Sequence, residues 1–391
     1  MKKTINKIVV EFMEFLGIKY CFGVPGSNMS LLDEINKSKK INLILSKHEE
    51  GASFMASGFS KSSGLPSSCF GSVGPGAMNL VTGIAAAYCD SQPILVLSGQ
   101  VESSLQGKTS FQESTGVGRT VSQLKIFKNI TKYASRINDE KKIVEILKNI
   151  YFSLKDYRPG PAYLEIPIDI MNKKINISKK VFKEFETENN ERLKKEGDTE
   201  DIKKIYEELI NSERPAIILG AGAITSRKEI FKLINKTKIP VLTTLKGRGL
   251  ISEEHPLSLG TIGITGQLSA NEYLNSGIDF LIIVGASLSQ FSTKNWSFDL
   301  KNTKIIRFDV PTKDLTKNYK ADYLILGDIS KNIQLLNSVI KNYDKDFREI
   351  VKEYKNKGYF DYPEMDNDAI PLKPQTFVSE LRKFLPKECI N

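Results

Sequence analysis

The chain has 391 residues, of which 40% are hydrophobic, enough to bury the cores of two domains. Its net charge of +10 comes from lysines spread along the chain without interleaved aromatic residues, which favours a solvated basic surface over a nucleic-acid site. With only two histidines and no C-x-x-C spacing among four cysteines, the composition argues against a zinc site, a disulfide framework and a His-dependent hydrolase. We expect no metal ligands on this chain.

The first residues predict an amphipathic helix instead of a targeting segment. Apolar side chains recur with helical spacing from Ile5 to Leu16, and Gly17 ends the pattern. Charged residues interrupt the stretch that a signal peptide needs, and every apolar run is far shorter than the roughly 20 residues that span a bilayer. We therefore expect a cytoplasmic protein with no membrane partner.

Two predicted strands, over 19–23 and 67–73, each end in a Pro-Gly turn that leads into a helix. A glycine-rich turn at the start of a helix leaves exposed N–H groups and room for a ligand. The turn residues are Val24, Pro25 and Gly26 in the first case and Gly74, Pro75 and Gly76 in the second, followed by Asn79 in the helix.

Glu49 lies between these two turns, after a predicted buried strand over 41–45. The helix that follows carries the small residues Gly51, Ala52, Ala56 and Gly58, so its backbone can approach another body closely. The residues alone leave two interpretations of Glu49 open. It is either a favourable charge at a helix N-terminus, worth a few tenths of a kcal/mol, or a carboxylate with a chemical role at a strand end.

The regular alternation of strands and helices predicts an α/β fold with two doubly wound parallel sheets. Ligands of such sheets sit beyond the carboxyl ends of the strands. Both Pro-Gly turns and Glu49 follow predicted strands, so we expect them to converge on one crevice.

Six segments together resemble the pyrimidine-binding domain of acetolactate-synthase-like thiamine diphosphate enzymes. They are Val24-Pro25-Gly26, His48-Glu49-Glu50-Gly51-Ala52, the stretch 74–83, Phe111-Gln112-Glu113, the stretch 130–134 and the stretch 158–167. The resemblance implies that Glu49 hydrogen-bonds the aminopyrimidine ring of thiamine diphosphate and promotes loss of the thiazolium C2 proton. It also implies that Gln112 lies near a 2-oxo acid substrate; the alternative for Gln112 is an exposed polar loop residue.

Residues 173–200 are highly charged, and we expect an exposed linker between a domain over 1–172 and a domain over 201–345. The second domain resembles the family's central domain, which in acetolactate synthase binds FAD in a structural role. Its first glycine turn lacks the third glycine of a dinucleotide fingerprint. The stretch 285–291 also departs from the acidic-arginine segment of the synthase, so FAD and a groove without nucleotide both stay open. The candidate groove residues are Gly220, Gly222, Thr244, Leu245, Gly263 and Gly285.

The tail over 346–391 resembles the lead-in to the family's third domain, which holds the diphosphate through Mg²⁺ and a Gly-Asp-Gly segment. No Gly-Asp-Gly occurs in the sequence. In this family the two halves of a cofactor site come from different protomers. We therefore expect a homodimer or tetramer, or a separate pyrophosphate-domain subunit, and we expect the chain alone to be inactive.

The resemblance predicts a thiamine diphosphate-dependent synthase or decarboxylase of 2-oxo acids, with acetolactate synthase as the nearest named activity. One alternative is a carboligase or decarboxylase for another 2-oxo acid, including a sugar-linked one. A second alternative is a non-catalytic binding or scaffold chain, which the absent Gly-Asp-Gly favours and the retained Glu49 disfavours.

Overall fold

The computed structural model describes residues 2–194, 197–311, 315, 317–341, 343–357 and 369–386. The chain divides into two compact units, Met1–Lys194 and Lys195–Asn391, each built around a six-stranded parallel sheet. The predicted α/β class is confirmed. Among the residues described, no helix is both long enough and apolar enough to cross a membrane.

The first unit contains eight described strands and nine described α-helices. The strands are β1 (Lys2–Thr4), β2 (Tyr20–Gly23), β3 (Asn42–Leu45), β4 (Ser67–Gly71), β5 (Ile94–Gln100), β6 (Tyr133–Arg136), β7 (Ala162–Pro167) and β8 (Lys174–Asn176). The helices are α1 (Ile5–Leu16), α2 (Met29–Asn36), α3 (Glu49–Ser63), α4 (Pro75–Asn79), α5 (Val81–Cys89), α6 (Gln123–Ile130), α7 (Ile143–Leu154), α8 (Ile168–Met171) and α9 (Lys180–Arg192).

The main sheet of the first unit has the strand order β3-β2-β4-β5-β7-β6, and all its pairs are parallel. The chain starts at β2, adds β3 on one side and then continues with β4 on the other. Ligand crevices of doubly wound sheets open at this reversal, beyond the carboxyl ends of the strands. The two Pro-Gly turns follow β2 and β4, the strands that flank the reversal.

The N-terminal helix was predicted correctly, but the burial of the strand before Glu49 was not. α1 ends at Gly17, whose φ of +79° is the left-handed conformation that glycine adopts easily. The strand predicted to be buried, β3, is instead an edge strand, with Ile44 37% and Leu45 61% exposed. It is exposed because only β2 pairs with it among the described strands.

The structure also differs from the linker predicted over 173–200. Residues 174–192 contain β8, which pairs antiparallel with β1, and α9, which packs on the first unit. Phe182 and Phe185 of α9 are almost fully buried in the core formed with α1 and α7. These two aromatic side chains attach a strongly charged helix to the first unit.

The second unit has the strand order β11-β10-β9-β12-β13-β14, which is the order of a dinucleotide-binding sheet. The strands are β9 (Pro215–Leu219), β10 (Val241–Thr243), β11 (Ser258–Thr261), β12 (Phe280–Val284), β13 (Lys304–Asp309) and β14 (Tyr323–Leu326). The helices are α10 (Thr199–Asn211), α11 (Arg227–Thr237), α12 (Leu268–Leu274), α13 (Ile329–Val339), α14 (Arg348–Asn356) and α15 (Pro374–Phe384).

Candidate functional site

Glu49 is the first residue of α3 and only 8% of it is exposed. The helix begins here because the His48 Nδ1 atom accepts a hydrogen bond of 3.2 Å from the N–H of Glu50. The Asn79 side chain donates a 3.0 Å hydrogen bond to the Glu49 Oε2 atom. The other oxygen, Oε1, has no hydrogen-bond partner among the described residues, so it can accept a hydrogen bond from a ligand.

Gly76 packs directly against this second carboxylate oxygen. A Cβ atom at residue 76 would lie 2.8 Å from the Glu49 Oε1 atom and 3.1 Å from the Ser72 Cβ atom. Glycine is therefore needed for the first turn of α4 to approach the Glu49 carboxylate this closely.

Two serines connect the Pro-Gly turns after β2 and β4. The N–H of Ser27 donates to the Ser72 hydroxyl at 3.1 Å, and the N–H of Val73 donates to the Ser27 hydroxyl at 3.1 Å. Gly26 lies so close to Ser72 that a Cβ atom would overlap it. In the first turn Pro25 is exposed and Val24 is half-buried. The two turns thus form one connected surface beside Glu49.

Gln112 lies next to the Gly74 turn, on the loop that follows β5. A Cβ atom at residue 74 would be 3.1 Å from the Gln112 carbonyl oxygen. The backbone of Gln112 has a φ of +59°, and its side chain is exposed. The neighbouring Phe111 is 88% exposed, so the tip of this loop is open to solvent.

Glu113 stabilises the loop that carries Gln112. Its buried carboxylate accepts hydrogen bonds from the Thr115 hydroxyl and from the N–H groups of Gly107 and Ser110. The Thr115 hydrogen bond and the backbone N–H groups lower the pKa of Glu113 to about 2, against the opposing effect of burial. The loop that carries Gln112 is therefore organised around an ionised carboxylate.

The candidate groove residues of the second unit lie at the carboxyl ends of β9, β10, β11 and β12. The N–H of Gly222 donates to the Gly285 carbonyl at 3.0 Å, and a Cβ atom at residue 222 would be 3.0 Å from the Gly285 Cα atom. The N–H of Thr244 donates to the carbonyl of Leu219, the last residue of β9. The remaining groove residues are Gly220, which packs on Gly285; Leu245, which is 49% exposed; and Gly263, whose φ is +112°.

Both units match models of one protein family. The thiamine pyrophosphate enzyme N-terminal TPP binding domain matches residues 3–119, and the thiamine pyrophosphate enzyme central domain matches residues 202–336. Together the two matches cover more than half of the chain. The chain belongs to the thiamine pyrophosphate enzymes.

Relatives of this thiamine pyrophosphate enzyme chain are acetolactate synthase large subunits. It is 35% identical to the probable acetolactate synthase large subunit of Methanocaldococcus jannaschii, over 96% of this chain and 63% of the relative. It is 32% identical to the acetolactate synthase large subunit of Lactococcus lactis, over 96% of this chain and 64% of the relative. The chain thus spans less than two thirds of the length of these relatives.

Sequence analysis of this thiamine pyrophosphate enzyme chain missed several residues that support the site. Ser27 and Ser72 flank the Pro-Gly turns, where a hydroxyl capable of side chain-to-backbone hydrogen bonds is a visible signal. Gln123, which contacts Gly74, is fully buried although it lies in the Lys-rich stretch of α6. No local pattern distinguishes this glutamine from an exposed one.

Proposed function

We propose that this chain supplies the pyrimidine-binding half of a thiamine diphosphate site and acts as part of an acetolactate-synthase-like enzyme on 2-oxo acids. The observation that carries the proposal is the position of Glu49. Only 8% of the residue is exposed, one carboxylate oxygen is held by Asn79, and the other faces Gly76 at the start of α4 without a partner among the described residues. The proposal includes a role for Gln112 at the substrate side.

The residues present fit the aminopyrimidine end of the cofactor. The Gly26 and Gly76 turns give a surface without side chains next to a carboxylate, where a flat ring can approach backbone and acceptor together. If Glu49 were only a favourable charge at a helix N-terminus, its carboxylate would need neither the hydrogen bond from Asn79 nor a glycine next to its second oxygen. The geometry therefore favours the ligand-binding interpretation.

When bound, thiamine diphosphate supplies a nucleophilic carbon and an electron sink for decarboxylating 2-oxo acids. Glu49 accepts a hydrogen bond at its Oε1 atom and exchanges a proton there, because a positioned carboxyl group is an effective proton donor and acceptor. Asn79 keeps the carboxylate in one orientation, and the glycine turns exclude water from one side. Gln112 offers an amide that can hydrogen-bond a carbonyl group.

For the other end of the cofactor, we propose that Mg²⁺ and the diphosphate are held by a pyrophosphate-binding domain on a partner protomer or a separate subunit, as the family resemblance implies. Exposed apolar side chains at the end of β3 and on α3 support such a partner: Leu45 is 61%, Phe54 is 46% and Met55 is 39% exposed. Large apolar side chains left exposed are typical of a protein–protein contact surface. We also propose that the chain itself forms a homodimer or tetramer, and its cytoplasmic location stays a prediction.

The second unit is a candidate FAD site. The strand order of its sheet reverses between β9 and β12, and dinucleotides bind at this point in such sheets. Gly222 and Gly285, which follow these two strands, are in contact there. Titration of the full chain with FAD, followed by flavin fluorescence, separates the two alternatives. Saturable quenching supports a nucleotide, and unchanged fluorescence supports an empty groove.

The half-site proposal is tested by titrating the full chain with thiamine and, separately, with thiamine diphosphate and MgCl₂. If the chain holds only the pyrimidine end, the two ligands bind with dissociation constants within about threefold of each other, since the diphosphate adds little. Much tighter binding of the diphosphate form would contradict the half-site, and binding of neither ligand would contradict the function.

A further inference from the structure

A chain of buried hydrogen bonds ends at the Gly74 turn. The N–H of Gly74 donates to the Gln123 Oε1 atom at 3.1 Å. The amide nitrogen of Gln123 donates to the Gly99 carbonyl at 3.0 Å and to the Ser98 hydroxyl at 3.3 Å. Because its oxygen faces an N–H donor and its nitrogen faces a carbonyl, the orientation of this amide is determined.

The chain continues from Ser98 to a buried carboxylate. The Tyr163 hydroxyl donates to the Glu165 Oε2 atom at 3.2 Å, and the Ser98 and Tyr163 hydroxyl oxygens are 2.5 Å apart. Since tyrosine has one hydroxyl proton, Ser98 must be the donor in the second contact. All donors therefore point the same way, from Gly74 toward Glu165, an arrangement in which each bond strengthens the next.

Glu165 is fully buried and supports the Gln112 loop as well. Its Oε1 atom forms an ion pair with the Arg136 Nε atom and accepts a 2.9 Å hydrogen bond from the Gln100 side chain. The Gln100 side-chain oxygen in turn accepts hydrogen bonds from the N–H groups of Val101 and Ser114, at 3.0 and 3.4 Å. The Glu165 carboxylate is thus connected by hydrogen bonds both to the Gly74 turn and to the loop that carries Gln112.

We propose that Gln123 is a positioning residue that, through Gly74, sets Gly76 against Glu49. Gly74 has φ +71° and ψ −114°, a conformation that other residues rarely adopt, and it precedes the first helical residue of α4. Its carbonyl accepts from the N–H of Met78 at 3.0 Å, so a displacement of Gly74 moves the start of α4. This inference rests on the proposed function and deepens it.

The test compares two variants that interrupt the chain at different points. Gln123→Met keeps the length of the side chain and removes both the oxygen that accepts from Gly74 and the nitrogen that donates to Gly99 and Ser98. Tyr163→Phe interrupts the chain between Ser98 and Glu165 and retains the ring, which stacks on Phe127 at 4.0 Å. Gln267→Met removes a buried, hydrogen-bonded glutamine from the second unit and serves as the matched control.

Two measurements are made on the full chain: hydrogen exchange of the segment 72–80 and the dissociation constant for thiamine. We expect Gln123→Met to accelerate exchange and weaken thiamine binding, each about tenfold, with a smaller effect for Tyr163→Phe and none for Gln267→Met. Faster exchange with unchanged thiamine affinity would reduce Gln123 to a structural role and overturn the proposal.

Unchanged exchange in Gln123→Met would overturn it too, because the turn would then not depend on this glutamine. Failure of the wild-type chain to bind thiamine contradicts the proposed function instead. In that case the exchange of segment 72–80 still shows whether Gln123 orders the turn, so the two failures are distinguishable.

Discussion

A Cβ atom at Gly76 would lie 2.8 Å from the Oε1 atom of Glu49, so the start of α4 packs against the first residue of α3 with no room for a side chain between them. This contact leaves the Glu49 carboxylate between a backbone turn and the Asn79 amide. The candidate site depends on this arrangement more than on any other pair of residues.

Gly76→Ala is expected to displace the Glu49 carboxylate and weaken thiamine binding at least tenfold, because a Cβ atom cannot lie 2.8 Å from a carboxylate oxygen unless one of the two moves. Calorimetric titration measures the affinity. Gly58→Ala is the matched control: apart from its chain neighbours and the backbone of its own helix, no described atom lies within 4 Å of its Cβ position, and alanine in a helix stabilises the fold by about 0.5–1 kcal/mol. Equal affinities for the two variants would show that residue 76 tolerates a side chain.

Asn79→Leu removes the only hydrogen bond that the described residues donate to the Glu49 carboxylate. A buried acceptor that loses its partner costs about 1–3 kcal/mol, so we expect thiamine affinity to fall roughly 5- to 150-fold. Glu50→Gln changes the adjacent carboxylate without touching this hydrogen bond and should leave the affinity unchanged. An Asn79→Leu protein that binds thiamine like the wild type would exclude a positioning role for Asn79.

Glu113→Gln is expected to loosen the loop that carries Gln112. At pH 8, tryptic cleavage after Lys108 should become about tenfold faster because the ionised acceptor of Thr115 and Gly107 is lost. Glu102→Gln, an exposed change on the same loop, should have no effect.

The difference in cleavage rate between Glu113→Gln and the wild type is also expected to depend on pH. The pKa of Glu113 is lowered from its ordinary 4.5 to about 2, so its stabilising effect is complete above pH 4.5 and is lost as the pH falls toward 2. The ratio of peptic cleavage rates, Glu113→Gln over wild type, should therefore decrease to about one across this range. A ratio that stays constant with pH would contradict this account of the loop.

Glu165→Gln should destabilise the first unit strongly, because it leaves the Arg136 guanidinium without its buried counter-charge. The expected loss in the free energy of unfolding is about 3–5 kcal/mol, measured by urea unfolding followed by circular dichroism. Glu188→Gln, which breaks a solvent-exposed pair with Lys148, should cost less than about 1 kcal/mol. Similar losses in both variants would show that the buried pair is not special.

The sequence was sufficient to predict the α/β fold and the approach of the second Pro-Gly segment to Glu49, because parallel strands place their carboxyl ends at one edge. The first turn contacts this segment through Ser27 and Ser72, and its part in the site stays a prediction. It was not sufficient to predict that β3 is an edge strand, since strand order is set by contacts between distant segments. The many charged residues of α9 led to its prediction as an exposed linker, although Phe182 and Phe185 are buried in the core of the first unit. Gln123 was missed because its burial depends on contacts with distant segments, among them Gly74 and the β5 residues Ser98 and Gly99.

The central claim is that the Glu49 carboxylate promotes ionisation of the cofactor's reactive carbon, and deuterium exchange at C2 of thiamine tests it most directly. We expect the wild-type chain and Glu50→Gln to accelerate this exchange to the same extent, when followed by proton NMR. Glu49→Gln should reduce the rate to that of free thiamine. Equal acceleration by Glu49→Gln and the wild type would contradict the account.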